Sequence, residues 1–294
     1  MTNYFVTFLN PQQATQHTQQ HHQDYIHTTL QCSSNAKHRS YSSVYTFCQH
    51  IKPWTTHQQH EITKIINHLQ QSCWSWKALL CDDPWRFIHV NDKLEDGMPH
   101  TIHSAIVLPS WLVNTLCSRN TKQADYQRAI ETLVHERIHV LQKLHRTRFD
   151  LLYQAWGFQR VDNMSLSLQD TVQQIHTHHA TRTTPDTPHQ WLLHYRWYVF
   201  VHLPRGASSM REVGYYLIDV QDQTKTWQAL HQVKWYNDYY GNESHCYHPD
   251  ESCAVLLAKM VVQDCDALDT LHDKNMYVDT CDACVVMQKW LNEM

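Results

Sequence analysis

The segment T-L-V-H-E-R-I-H-V-L-Q-K, Thr132 to Lys143, sets the terms for every other assignment. Its centre, His135-Glu136-Arg137-Ile138-His139, has the H-E-x-x-H form. Residues four apart on an α-helix lie about 40° around and about 6 Å along the axis. A helix here sets the imidazoles of His135 and His139 on one face, close enough to hold one Zn2+ ion. Glu136 then sits beside them, within reach of a metal-bound water. The periodicity predicts that helix. Tyr126, Ala129, Ile130, Leu133, Val134, Ile138, Leu141 and Leu144 recur at helical spacing, and Asn120-Thr121 offers an N-cap. The chain holds 25 histidines, so the pattern alone is weak evidence. Two ligands and a base of the right types on one amphipathic element strengthen it.

Two readings compete for the third ligand. In the first it is His145, which completes a metzincin-like spacing from His135 in every position but one. Gln142 stands where that pattern has glycine, the residue that lets the chain leave the helix and swing the third histidine back. With the helix running on through Leu144, His145 would lie about 9 Å along the axis and about 120° around from His139. In the second reading the ligand is a downstream carboxylate, and Glu251 in Tyr247-His248-Pro249-Asp250-Glu251-Ser252 is the best candidate. Pro249 suits the first turn of a helix, and Asp250 and Glu251 suit its positive end. Leu256, Leu257, Met260 and Val261 come after them at helical spacing. His245, His248 and Asp250 are nearby substitutes.

Taken in order, Pro99-His100-Thr101 before an apolar strand, T-L-V-H-E-R-I-H-V-L-Q, Arg182-x-x-Pro185-Asp186 and H-P-D-E resemble the gluzincin-type zinc metallopeptidases of large DNA viruses and some microbial eukaryotes. The resemblance touches most of the chain. It implies one zinc per chain, His135, His139 and Glu251 as ligands, and Glu136 as general base. The chain departs from the pattern after Thr101, where Ile102-His103-Ser104 replaces the usual glycine or small polar turn.

Composition narrows the remaining choices. Net charge is −4 with histidines neutral, and no basic patch marks a nucleic-acid binder. No stretch approaches a membrane span, and Met1 to Phe5 lacks the basic start of a signal peptide. With ten cysteines and no secretion signal, reduced thiols in the cytoplasm are expected. Cys281-x-x-Cys284 is a lone C-x-x-C on a predicted helix, read as two half-buried thiols. Five glycines favour helices joined by polar loops over a hairpin-rich fold. The predicted fold is α+β, a mostly helical single domain over residues 1–294 with a small sheet beside the metal helix. A helical region of about residues 1–75 opens it. Asn10-Pro11 and Thr55-Thr56 mark helix starts. Residues 85–90, 103–108, 191–203 and 213–220 read as strands. Ala105 to Leu108 is the candidate edge strand for pairing with a peptide.

These features predict zinc-dependent hydrolysis of a peptide bond in a peptide or protein substrate. Arg182, Tyr240, Tyr247 and His248 are candidates to hold a substrate carboxylate or stabilise an oxyanion. The alternatives are a catalytically silent scaffold with a structural or binding role, for instance in a virion, and a zinc amidase acting on a non-protein amide.

Overall fold

The computed structural model describes residues 5–30, 44–72, 77–81, 83–178, 189–202, 214–222, 226–241, 246–264 and 281–293. Arg182, His245 and the loop at 182–188 lie outside them. The fold is α+β, as expected, and its contacts divide into two compact units, 1–144 with 256–276 and 145–255 with 277–294.

In the first unit, β1 (Val6–Phe8), β2 (Trp85–Val90), β3 (His100–Ile102) and β4 (Ala105–Pro109) make a four-stranded sheet in the order β1-β2-β4-β3. β1 and β4 run parallel to β2, and β3 runs antiparallel to β4. The helices are α1 (Pro11–Leu30), α2 (Val44–Gln49), α3 (Thr56–Ser72), α4 (Lys77–Leu80), α5 (Ser110–Cys117) and α6 (Gln123–Leu144). Two N-termini form where capping residues stand. Asn10 Oδ1 accepts from the Gln13 N–H while Gln13 Oε1 accepts from the Asn10 N–H, at 2.9 and 3.0 Å. Thr55 and Gln58 repeat this reciprocal pair on α3. Side chains alternate across a strand. Ile88, Val90, Ile102, Ala105 and Val107 form one core cluster with Leu9, Ala14 and Phe47 of the first helical region. Helices α5 and α6 pack against β4, and α6 also packs against β3.

The expected edge at Ala105 to Leu108 is corrected by the strand order. β4 lies between β2 and β3 with every residue buried, so it is not an edge strand. The edges of this sheet are β1 and β3, since the chain turns back at His103-Ser104 and β4 then inserts beside β2. His103 takes a left-handed φ of 50° to make that turn without a glycine. The carbonyl of Thr101 on β3 accepts a hydrogen bond from Lys143 Nζ at 3.1 Å.

In the second unit, β5 (Phe158–Arg160), β6 (Trp191–Leu193), β7 (Trp197–His202), β8 (Gly214–Asp219) and β9 (Trp227–Ala229) form an antiparallel sheet in chain order. The predicted strand at 191–203 is thus two strands, broken by a tight turn with positive φ at His194 and Tyr195, and its second half pairs with the strand predicted at 213–220. Helix α8 (Leu166–His178) puts Val172 and Ile175 on one face of this sheet, against Leu192, Tyr198, Phe200 and Ile218. Among the described residues, helices α7 (Arg146–Ala155), α9 (Lys234–Tyr240), α10 (Pro249–Asp264) and α11 (Asp282–Asn292) follow. α10 begins in the second unit, and its turns from Leu256 on belong to the first. None of the described helices is long and apolar enough to cross a membrane.

Candidate metal centre

Helix α6 is exposed along its first turns and buried almost all round from Leu133 to Gln142. That change has its cause in the residues, since polar side chains crowd its start and apolar ones its second half. Arg137, inside the H-E-x-x-H segment, is fully buried. Its guanidinium donates to the backbone carbonyls of Leu80, Asp83 and Pro84 and lies 5.0 Å from the centre of the Trp85 ring. A planar fork with five donors suits three carbonyls converging beside an aromatic face. Arg137 therefore fixes the rotation of α6 about its axis, and with it the direction of the neighbouring side chains.

His135 and His139 both point Nε2 at one place, with the two atoms 2.9 Å apart and the rings at 85°. Two nitrogens on one tetrahedral zinc, each about 2.0–2.1 Å from it, stand about 3.3 Å apart. The rings are within about half an ångström of that separation. The other nitrogen of His139, Nδ1, lies 2.8 Å from Gln142 Oε1. An amide oxygen only accepts, so Nδ1 carries the proton and Nε2 presents a lone pair. Glu136 is 5% exposed, adjacent in sequence to His135 and one turn from His139.

Glu251 stands in the first turn of α10. α10 is one unbroken helix, so its backbone ties Glu251 to the turns after it. One ligand atom each from His135, His139 and Glu251 lie within 4.8 Å of one another, and this is the group of three or more metal-binding side chains found among the described residues. Two imidazoles and a carboxylate are a fitting donor set for zinc.

The neighbours of Glu251 are committed elsewhere. Asp250 is fully buried and accepts both 2.9 and 3.0 Å hydrogen bonds from Arg146 Nη1. Arg146 also donates to Asp150 at 2.8 Å and lies over the rings of Tyr153 and Trp191. His248 uses both ring nitrogens on backbone: Nε2 donates to the His189 carbonyl at 2.8 Å, and Nδ1 accepts from the Asp250 N–H at 3.2 Å. Burial holds its pKa below the usual histidine value. Of the described candidates His248, Asp250 and Glu251, Glu251 is the one grouped with the two histidines.

The other sequence candidates separate. His145 comes directly after an α6 that runs unbroken to Leu144, takes the N-cap position of α7 without a side-chain cap hydrogen bond, and is not in the three-ligand group. Gln142 keeps the helix intact where a glycine would have ended it. Tyr240 is buried and spends its hydroxyl on the Trp156 carbonyl at 3.1 Å. Tyr247 stacks on Tyr215 with ring centres 4.5 Å apart. Tyr215 is a further candidate that sequence reasoning does not single out. Burial first, then the charge of Glu251, pushes its hydroxyl up to about 12, which places a protonated phenol within electrostatic reach of the carboxylate. Its only mark in the sequence is membership of an aromatic strand.

The chain matches no protein-family model, no curated protein and no solved structure.

Proposed function

We propose that the protein is a zinc-dependent hydrolase of peptide bonds, with a gluzincin-type site in which His135, His139 and Glu251 hold the metal and Glu136 is the general base. The carrying observation is the convergence of those three ligand atoms within 4.8 Å, with Glu136 beside them on a helix whose rotation Arg137 fixes. When bound, zinc polarises a substrate carbonyl and acidifies a water molecule. Glu136 takes a proton from that water and passes it to the leaving nitrogen. His139 is kept in the tautomer that offers Nε2 by its bond to Gln142. Tyr215, whose phenol feels the charge of Glu251, is the candidate donor to developing negative charge.

The test is zinc analysis with a peptide-library assay on wild type, Glu251→Ala, His145→Ala and Glu136→Gln. The expected result is about one zinc per chain, lost in Glu251→Ala and kept in His145→Ala. Glu136→Gln should keep zinc and lose turnover by several orders of magnitude. Wild type without zinc after reconstitution would overturn the metal site. Stoichiometric zinc with no turnover of any peptide would leave a scaffold that binds but does not cleave.

A further inference from the structure

The second unit holds another pair of reactive side chains, whose chemistry is independent of the metal centre. Cys281 is the residue that precedes α11, and Cys284 stands one turn further on. Their sulfur atoms are 3.2 Å apart. A disulfide needs about 2.05 Å, so a small rotation of the two side chains brings them to bonding distance.

The C-x-x-C spacing sets both thiols in the first turn of a helix, whose N-terminal end carries a partial positive charge. The two sulfurs are not equivalent there. The Cys284 thiol beside it, helped by the dipoles of the helix start and opposed by burial, lowers the pKa of Cys281 to about 7. The same thiol contact, with burial, raises Cys284. One sulfur is thus the ready nucleophile and the other holds its proton in reserve. Cys117, by contrast, is pushed up to about 11 by burial, and Cys246 and Cys253 are buried at 1% and 0% exposure. Cys281 and Cys284 are 9% and 4% exposed, with Asp282 between them at the surface. Both are thus buried rather than half-buried as expected, while Cys48, Cys81 and Cys117 are more exposed, so the pair favours a small oxidant over a bulky disulfide and its selectivity rests on the neighbouring thiol, not on exposure.

We propose that Cys281 and Cys284 form a peroxide-sensitive dithiol that closes to an intramolecular disulfide and is reopened by a small-molecule thiol. The Cys281 thiolate attacks one oxygen of hydrogen peroxide. The O–O bond breaks, Cys281 becomes a sulfenic acid, and the departing hydroxide takes up the proton that Cys281 had shed. Cys284 then attacks the Cys281 sulfur; the S–O bond breaks and the oxygen leaves with the Cys284 proton as water. Two thiols and one peroxide give one disulfide and two waters. The closed ring would lock the first turn of α11, whose Ala283 carbonyl accepts from Trp156 Nε1 at 3.1 Å.

The test uses the full chain, reduced, desalted, exposed to stoichiometric hydrogen peroxide under native conditions, quenched by alkylation and mapped by mass spectrometry. The expected product is a Cys281–Cys284 peptide lighter by two hydrogens and resistant to alkylation. It should appear before modification of Cys117 or Cys246 and be reversed by dithiothreitol. Cys284→Ser should stop at a Cys281 sulfenic acid that dimedone traps, and Cys117→Ser should change nothing. Oxidation spread evenly over the cysteines, Cys281 passing to sulfinic acid in wild type with no crosslink, or a crosslink seen only after denaturation would each overturn the proposal. The wild-type map decides even if a variant fails to fold.

Discussion

His139 and Gln142, three residues apart on α6, are joined by a 2.8 Å hydrogen bond from ring Nδ1 to amide Oε1, and both side chains are 1% exposed. A metal-binding histidine is oriented by whatever its second nitrogen donates to. Gln142→Leu removes that acceptor while keeping the helix. Zinc affinity should fall about 10–100-fold, read by competition with a chromophoric chelator. Unchanged affinity would show that packing alone orients His139.

The Arg146–Asp250 pair carries a second expectation. Asp250→Asn leaves the guanidinium facing a neutral amide among the rings of Tyr153 and Trp191. Breaking a buried pair by removing one partner costs about 3–5 kcal/mol. Arg146 keeps Asp150 and is 20% exposed, so the low end is expected, seen as a lower urea midpoint. Zinc should weaken too, because Asp250 anchors the turn that carries Glu251.

Arg137→Lys should not rescue Arg137→Met. A lysine is a point donor and cannot satisfy three carbonyls at once. Each buried carbonyl left unmet costs about 1–3 kcal/mol. Both variants should melt well below wild type, and a wild-type melting curve for Arg137→Lys would count against the anchoring role.

Acid should destabilise the fold through histidines that are held neutral. Burial is the largest cause lowering His17, His89 and His189 from the ordinary value of 6.5. A histidine with a depressed folded pKa takes up protons in the unfolded chain first. Stability is therefore full above the unfolded value and declines as pH falls below 6.5, until the folded pKa is passed. Thermal midpoints should drop between about pH 7.5 and pH 5.5. His89→Gln, at a site where the ring bridges Ser110 Oγ and the Pro53 carbonyl, should lessen the slope. An unaltered slope would remove His89 from the account.

The sequence by itself determined what repeats locally. A 3.6-residue apolar period put His135 and His139 on one face of α6, Pro249 began α10 and so located Glu251, and Asn10 and Thr55 marked their helix starts. Those signals depend only on a residue and its near neighbours. The tertiary structure decided what depends on distant partners. Nothing local to Arg137 announces the three carbonyls at 80–84 that it satisfies. Ala105 to Leu108 reads as an edge, yet sheet order is set by which strand β2 accepts beside it, and a period of two does not encode that choice. Tyr215 and Glu251 are 36 residues apart by the numbering, and only packing lets one feel the charge of the other. Cys281 and Cys284 are visible as a motif, but the inequality of their two thiols comes from the burial and hydrogen bonds that folding supplies.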